Sequence, residues 1–330
     1  MRIVRLFTRT SVLVVILVFL GSWGFLVHRT TQQLAIYKLP NAMQPFFYKN
    51  MQELVKNSTR PDERRNKDTT EATKHFIDIE VYGENAINDM PLLWEDAVKK
   101  YTKDTLLKYG YVPYHIIAMQ QQLTDAFKAK DKEKILFYAA DIGHYIQDAH
   151  VPLHTSINYD GQLTNQKGLH ALWESVVPEI EMNTYQLYSK HKAKYIKNIP
   201  ASIWNAVRKS NALLTDVFAK EIEVSKQFVD STKYRIQIRR GKEVKYYTTA
   251  FAKAYSESLK PTINNQLVAS ADLVADFWYT AWVNAGKPDL SIILNEEEKL
   301  QLKTQQKAYK KNTLIKDGLL IAKKDSKSDE

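Results

Sequence analysis

The stretch HYIQDAHVPLH, residues 144–154, holds three of the eight histidines in the chain. The preceding residues, DKEKILFYAADIG (131–143), place apolar side chains at helical spacing, and their first aspartate is a residue type that caps helices. Pro152 cannot continue a helix, so the helix is expected to end just before it. His144 and Asp148 are four residues apart and therefore project from one helix face. The stretch predicts a helix that presents two potential metal ligands and then turns sharply.

The helical period continues through most of the chain and indicates an all-α protein. Nothing resembles an alternating series of strands and helices, although KYRIQIRRGKEVKYY (233–247) is suited to one short hairpin. The organisation predicted is a leader at 1–22, a single helical domain at 23–302 and a basic, flexible tail at 303–330. Helices are expected near Gln32–Leu39, Asn41–Lys56, Pro91–Tyr109, Tyr114–Lys128, Lys132–His150, Asn165–Lys192, Ile203–Val229 and Thr248–Ala285.

The composition is that of a globular protein, with 330 residues of which 44% are hydrophobic. The chain has no cysteine. Disulfides, thiolate zinc sites and cysteine nucleophiles are therefore excluded, and any metal must be held by nitrogen and oxygen ligands.

The first residues have the pattern of a secretory signal peptide, with three arginines followed by the apolar run Val12–Leu20. The small side chains of Gly21 and Ser22 favour cleavage before Trp23. The apolar segment reaches at most to Val27, which is short for a membrane span. We therefore expect a periplasmic or secreted protein, with an uncleaved N-terminal membrane anchor as the alternative.

The net charge of +10 suggests an anionic partner, but its distribution weakens that inference. The leader contributes three arginines, and the tail contributes eight lysines against four acids, so residues 23–302 carry only about +3. Charge alone does not predict a nucleic-acid binder. The basic tail either touches an anionic surface or is simply solvated, and no obligate protein partner is evident.

A second pair of potential ligands has the same spacing as the first. His170 and Glu174 are four residues apart on the next predicted helix. One such pair is common on amphipathic helices, but two pairs on consecutive helices indicate divalent metal binding. Beyond Pro152, His154 can reach a position that a continuous helix would not, which favours a metal different from that of His144.

Three segments together resemble a known superfamily: WGFLVH (23–28), HYIQDAHVPLH (144–154) and LHALWE (169–174). That superfamily joins the bacterial zinc-dependent phospholipases C and the fungal single-strand-specific, P-one-type nucleases. The resemblance runs in order from Trp23 to Glu174 and adds little after about residue 190. It implies an all-α fold with a trinuclear zinc cleft.

The resemblance also implies nine ligating residues for three zinc ions, with one carboxylate shared between two ions. Grouped by ion, they are Asp62, His75, His144 and Asp148; then His154, His170 and Glu174; then His28 with Asp148 and the backbone amino and carbonyl groups of Trp23. The last group requires Trp23 to be the mature N-terminus. An α-amine suits this role because its pKa, near 8, lets it lose its proton to a metal.

Closely spaced zinc ions suit phosphate ester hydrolysis, because they lower the pKa of water to about 7 and neutralise phosphate oxygens. We expect hydroxide held between the first and third zinc ions, which share Asp148, to attack phosphorus in line. Asp62 is expected to orient the water. Arg65 is a candidate for gripping the phosphate, and the alternative is a solvated arginine in RPDERR (60–65).

The substrate class stays open between the two branches. Glu174 and the short interval from His154 to His170 resemble the phospholipase branch, which slightly favours release of a phospholipid headgroup. The segments VPLH and LHALWES, and the interval from Trp23 to His28, resemble the nuclease branch, for which the substrate is single-stranded nucleic acid or a 3′-nucleotide. A third reading is a non-catalytic helical binding protein stabilised by zinc, which the open three-ligand second site disfavours.

Further polar residues are candidates for orienting the ligands or for structural roles. Asp141 is a candidate for orienting His144, and Asp78 for orienting His75. Of the other histidines, His150 is expected either to support a metal ligand or to pack in the interior, His115 to be structural and His191 to lie on the surface.

Overall fold

The computed structural model describes residues 24–239, 242–290 and 292–325. The leader and Trp23 lie outside the described residues. The α-helices are α1 Phe25–Lys38, α2 Gln44–Lys49, α3 Met51–Asn57, α4 Arg60–Arg64, α5 Ala86–Asp89, α6 Trp94–Tyr101, α7 Lys103–Tyr109, α8 Val112–Lys128, α9 Lys132–Asp148, α10 Leu169–Ala171, α11 Val177–Glu181, α12 Ile199–Asn211, α13 Leu214–Ser225, α14 Asp230–Lys233, α15 Thr249–Leu259, α16 Thr262–Asn284, α17 Glu296–Lys310 and α18 Ile321–Asp325.

Short turns of other helix types complete the helical structure. They are the 3₁₀ turns Ala72–Lys74, Ile79–Tyr82, Pro152–Thr155 and Met182–Thr184, and the π turn Leu172–Val176. The all-α class predicted from the sequence is confirmed. No described helix has the length and apolarity needed to span a bilayer.

One hairpin interrupts the helices, as the sequence predicts. Strand β1, Tyr234–Arg239, pairs antiparallel with β2, Lys242–Tyr247, in a register that places Tyr234 opposite Tyr247. The two turn residues, 240 and 241, lie outside the described residues.

The predicted helix before Pro152 is confirmed as α9, which packs on α8. The Asp131 side chain caps α9 by accepting a hydrogen bond from the Lys134 amide at 3.1 Å. The helix ends at Asp148, and Pro152 then opens a 3₁₀ turn that contains His154. Both residues of the first ligand pair therefore lie in the last turn and a half of α9.

Helix α1 lies at the centre of the protein, against α16, α3 and α9. Its polar residues Thr30, Thr31, Gln32 and Gln33 are buried together with its apolar ones, so the helix is enclosed on all sides. The Gln32 side chain donates to the Ala140 carbonyl of α9 at 2.8 Å. This packing holds the start of α1 beside the end of α9.

Four of the helices expected from the sequence are each divided. Two of them, Asn41–Lys56 and Pro91–Tyr109, form α2 with α3 and α6 with α7. The segment expected at Thr248–Ala285 forms α15 and α16, which are separated at Lys260, whose φ of 55° leaves the helical region, and Pro261. The segment expected at Ile203–Val229 forms α12 and α13. Helical periodicity continues across the latter two breaks, which is why the sequence alone does not separate them.

The helix expected at Asn165–Lys192 is shorter and contains a π turn. Regular and π-helical structure spans α10, the π turn and α11, and the chain between Thr184 and α12 has no regular secondary structure. Pro178 has no N–H group to bond the carbonyl four residues before it, that of Glu174, so a regular α-helix is broken there. π turns of this kind are frequent at functional sites.

The described part of the segment expected to be a flexible tail, residues 303–325, packs against the helical body. Helix α17 continues to Lys310, and Tyr309, Leu314 and Leu320 are buried. The Ile321 amide donates to Gln33 Oε1 of α1 at 2.9 Å. The lysines of this segment dominate its composition, but its apolar residues cover α1, and composition alone does not show that contact.

Candidate metal centre

Eight of the nine residues predicted to bind zinc lie in the part of the chain that the structure describes, and the fold brings all eight together. His28 lies in α1, Asp62 in α4, and His75 directly after the 3₁₀ turn Ala72–Lys74. The others are His144 and Asp148 in α9, His154 in the 3₁₀ turn that begins at Pro152, His170 in α10 and Glu174 in the π turn. The ninth, Trp23, lies outside the described residues.

The first predicted group surrounds the end of α9. His75 Nδ1 lies 2.9 Å from Asp148 Oδ2 and 3.1 Å from His144 Nε2. Asp62 Oδ1 lies 3.7 Å from His75 Nδ1 and 3.9 Å from His144 Nε2. Ligand atoms on a tetrahedral zinc ion are about 3.3 Å apart, given Zn–N distances near 2.0 Å. These four side chains have the donor types and spacing that such an ion requires.

The second group forms where the 3₁₀ turn meets α10. His154 Nε2 and His170 Nε2 are 2.9 Å apart. Glu174 Oε2 lies 2.8 Å from His170 Nε2 and 3.6 Å from His154 Nε2. Three protein donors therefore face one point, which leaves a fourth position for water or substrate.

The third group centres on His28, whose ring stacks on that of His144 at a centroid distance of 3.9 Å. His28 Nε2 lies 3.7 Å from Asp148 Oδ1 and 3.7 Å from Glu174 Oε1. The residue is 1% exposed, and neither ring nitrogen has a hydrogen-bond partner among the described residues. A buried polar atom without a partner is costly, and a bound metal ion would supply the missing partner.

Asp148 contacts all three groups. Its Oδ2 faces His75 and His144, while Oδ1 lies 3.7 Å from His28 Nε2 and 3.6 Å from His154 Nδ1. A carboxylate whose two oxygens face different donor sets is suited to bridging two ions.

Backbone carbonyls fix the orientation of two rings. His144 Nδ1 donates to the Ser58 carbonyl at 2.8 Å, and His154 Nδ1 donates to the His75 carbonyl at 3.0 Å. Each bond leaves Nε2 unprotonated in the neutral ring and directed at the cluster, which is the form that binds a metal.

Glu71 faces the outer nitrogen of His75, at 3.6 Å from Nε2. It is fully buried and accepts hydrogen bonds from Tyr145 Oη and from Lys74 Nζ, the latter at 2.7 Å. Burial raises the pKa of Glu71, but the neighbouring His75, Lys74 and Tyr145 outweigh burial and hold the pKa well below the usual range. Glu71 was not predicted from the sequence, although Glu71 and His75 have the four-residue spacing of the two ligand pairs.

Asp78 was expected to orient His75, but the carboxylate beside the Nε2 atom of His75 is that of Glu71. The Asp78 backbone N–H donates to the Tyr109 carbonyl at 2.8 Å. Burial, with a further contribution from Glu80, raises the pKa of the Asp78 carboxyl to about 6.

Asp141 was expected to orient His144, but it binds two arginines instead. Arg60 NH2 lies 2.5 Å from Asp141 Oδ1, and Arg64 NH1 lies 2.8 Å from Oδ2. These ion pairs join α4 to α9. They hold Asp62, which lies between the two arginines in α4, at the edge of the cluster.

Arg65 lies at the rim of the site. Its NH1 is 3.5 Å from Asp62 Oδ1, and its side chain is 46% exposed. The positive charge of Arg65 also acts on His170. The guanidinium is therefore close to the first and second groups while it stays open to solvent.

The other histidines lie outside the three groups. Burial lowers the pKa of His150 to about 4, and its Nδ1 donates to the Ile146 carbonyl at 2.7 Å. The His115 ring packs edge-on against Tyr145 at 4.5 Å. His191 Nε2 lies 2.8 Å from Asp276 Oδ1.

The carboxylates of the cluster are held in their ionised form. Burial raises the pKa of Asp148, but its interactions with His144 and His154 outweigh burial and hold that pKa well below the usual range. For Glu174, burial is likewise outweighed, here by bonds from His154 and His170. Burial lowers the pKa of His75, while Asp148 and Glu71 raise it to about 9 overall. Ionised carboxylates among histidines form a donor set for a divalent cation.

Comparison with known proteins gives one family. The sequence model of the S1/P1 nuclease family matches residues 23–274, a range that contains all nine residues predicted to bind zinc. No curated protein matches the chain.

Proposed function

Because this chain belongs to the S1/P1 nuclease family, we propose that it is a zinc-dependent nuclease that cleaves single-stranded nucleic acid and removes 3′-phosphates from nucleotides. The chain is thus a phosphodiester hydrolase rather than a non-catalytic binding protein. The family match supports the nuclease reading better than the phospholipase C reading that Glu174 and the short interval before His170 slightly favoured.

One observation carries the proposal: eight side chains from separate segments meet with their donor atoms facing each other. His28 has two buried nitrogens that make no hydrogen bond within the described part of the chain, and Asp148 has an oxygen on each side of the cluster. Both features fit bound metal ions. We assign the first zinc to Asp62, His75, His144 and Asp148, the second to His154, His170 and Glu174, and the third to His28, Asp148 and the backbone of Trp23.

Zinc bound there would lower the pKa of water to near neutrality and offset the negative charge of the phosphate oxygens. Around it, the side chains have distinct roles. Asp62, 23% exposed in its side chain, orients the attacking water and accepts its proton. Arg65 extends from the rim, where its guanidinium binds a phosphate oxygen. Asp141 keeps α4, and therefore Asp62, in position.

The N-terminal part of the proposal rests on the residue that follows Trp23. The Gly24 amide donates to Ser175 Oγ at 2.8 Å, and a Cβ on Gly24 would come within 3.1 Å of Glu174 Oε1. Cleavage before Trp23 would therefore release an α-amine close to His28 and Glu174. We propose an extracytoplasmic protein with a cleaved leader, and an uncleaved membrane anchor remains the alternative.

The test uses the secreted protein. N-terminal sequencing should read Trp23 first, and metal analysis should give three zinc ions per chain. Single-stranded DNA and a phosphocholine ester are then assayed in parallel, before and after zinc removal with a chelator. We expect cleavage of the DNA that is lost with zinc and restored by it. Activity that survives full zinc removal would contradict the proposal, and headgroup release without DNA cleavage would favour the phospholipase reading.

A further inference from the structure

The outer part of the β1–β2 hairpin exposes two large aliphatic side chains. Ile236 is 58% exposed and Ile238 is 77% exposed. Because side chains two residues apart in a strand project from the same face, the two isoleucines are neighbours on one face of β1. A single exposed aliphatic residue is ordinary, but an adjacent pair forms a continuous apolar patch, and such patches mark surfaces that bind proteins or membranes.

The base of the hairpin is firmly attached to the helical body. The buried Tyr247 donates through its hydroxyl to Glu221 Oε1 at 2.9 Å, and Lys233 Nζ lies 2.7 Å from the same oxygen. Tyr247 pairs with Tyr234, which lies on the same face of β1 as the two isoleucines. This face is therefore held against the protein at its base and becomes exposed toward the turn.

The two strands carry a positive charge as large as that of the whole helical domain. They contain the cations Arg235, Arg239, Lys242 and Lys245 against one acid, Glu243, and so have a net charge of +3. Residues 23–302 together carry only about +3, so the rest of that range is balanced. The register also places Arg239 opposite Lys242. Like charges directly opposite each other destabilise a strand pair, and an anionic partner would offset this repulsion.

The isoleucines distinguish between the anionic partners that the cations would attract. Nucleic acid offers phosphates to the cations, but its bases stack on aromatic side chains and gain little from isoleucine. A second copy of this chain would bring the same cations together, and they would repel each other. In an anionic bilayer, by contrast, cations bind the lipid headgroups while aliphatic side chains enter the boundary of the acyl chains.

We propose that the outer part of the β1–β2 hairpin docks this protein on an anionic lipid surface. Ile236 and Ile238 enter the bilayer interface, and the exposed Arg235 binds headgroup phosphates. This inference goes beyond the proposed nuclease function, because it places the enzyme at a membrane without the leader. Composition suggested contact with an anionic surface for the basic tail, and the hairpin combines charge with exposed apolar side chains that suit such a contact better.

The experiment measures co-sedimentation of the secreted, zinc-containing protein with lipid vesicles. One set of vesicles is phosphatidylcholine alone, and in the other about one third of the lipid is phosphatidylglycerol. The double variant Ile236→Ser/Ile238→Ser tests the apolar contact, and Arg235→Gln tests the charge. The matched control is Ile293→Ser, which changes an isoleucine outside the hairpin that is 89% exposed. Thermal unfolding and kcat/KM for single-stranded DNA in solution are measured for every variant.

The wild type should bind the anionic vesicles at least about tenfold more tightly than the neutral ones, and added salt should weaken this binding. The double variant should lose about tenfold in affinity for the anionic vesicles, and Arg235→Gln about fivefold. Ile293→Ser should bind as the wild type does. All variants should keep the unfolding temperature and the DNA cleavage of the wild type, because the changed side chains are exposed and lie outside the metal cluster.

A wild type that binds neither kind of vesicle would overturn the inference, as would equal binding by the double variant and Ile293→Ser. A loss of DNA cleavage in Arg235→Gln without a loss of vesicle binding would show that the hairpin contacts nucleic acid instead, and would also overturn it. A wild type that cleaves no phosphodiester would refute the proposed function, and the vesicle measurement would still decide whether the hairpin binds lipid.

Discussion

Gly143 of α9 lies directly against Gln32 of α1: a Cβ on Gly143 would come within 2.2 Å of the Gln32 amide nitrogen. This close approach occurs one residue before His144 and four residues after His28, the two rings that stack in the cluster. The absence of a side chain at Gly143 thus allows α1 and α9 to bring two predicted ligands of different zinc ions together.

We expect Gly143→Ala to destabilise the protein and to weaken metal binding at His28. The new methyl group displaces Gln32 and breaks its bond to the Ala140 carbonyl. Overpacking of this kind costs about 1–3 kcal/mol, against which alanine recovers up to about 1 kcal/mol of helix propensity. Denaturant unfolding and zinc content measure the two effects. The double variant Gly143→Ala/Gln32→Ala should lose less stability than the sum of the single changes, and strict additivity would argue against the contact.

Asp148→Asn should remove more zinc than any other single ligand substitution, because Asp148 faces all three groups. An amide has one oxygen to share instead of two and carries no charge. We expect fewer than two zinc ions per chain by metal analysis and a fall in kcat on the order of a thousandfold. The control is Asp125→Asn, which changes an exposed carboxylate paired with Lys128 on α8. Retention of three zinc ions by Asp148→Asn would contradict the bridging role.

The sequence predicts part of this centre well, for a definable reason. The pairs His144–Asp148 and His170–Glu174 have a spacing that puts both side chains on one helix face, so local structure alone brings them together. That these pairs lie close to His28, Asp62 and His75 was predicted only from the resemblance to a known family, because this proximity depends on the packing of distant segments.

The partners of these residues were harder to predict. The choice of Glu71 over Asp78 as the partner of His75 depends on which side of a turn faces α9. Asp141 lies one helical turn before His144, yet its carboxylate points toward α4. Tertiary contacts determine which carboxylate lies beside which side chain, and the spacing of residues along the sequence does not predict this.

Leu320→Ala should cost about 2–5 kcal/mol of unfolding free energy, because the side chain is 1% exposed and its removal leaves a cavity. The control Leu300→Ala changes a leucine of α17 that is 65% exposed, and it should lie within about 0.5 kcal/mol of wild type. Chemical denaturation compares the three proteins. If Leu320→Ala were as stable as the wild type, the prediction from composition that this segment is a flexible tail would stand.

His115→Phe should make the protein less sensitive to mild acid. Burial, aided by the charge of Lys74, lowers the pKa of His115 to about 3, so the folded protein keeps this ring neutral. The unfolded chain binds a proton below a pKa of about 6.5, and folding stability therefore falls as the pH drops below that value. Between pH 7 and pH 5 this histidine alone accounts for a loss of about 2 kcal/mol. The measurement is the difference in unfolding free energy between variant and wild type at both pH values. That difference should shift by about 2 kcal/mol in favour of the variant at pH 5, and a pH-independent difference would show that folding does not lower the pKa of His115.

Glu71→Gln should weaken zinc binding without removing a ligand. The carboxylate of Glu71 lies 3.6 Å from the outer nitrogen of His75, and we expect it to orient the ring. Losing such a partner typically costs roughly 10- to 100-fold in metal affinity or activity. Competition with a chromogenic chelator measures the affinity. Asp78→Asn is the matched control, since it removes a buried carboxyl only three residues from His75 that makes no ion pair with the ring among the described residues. We expect Asp78→Asn to bind zinc as the wild type does. If the two variants lost affinity equally, the effect would come from general loss of negative charge near the site, and the specific role of Glu71 would be refuted.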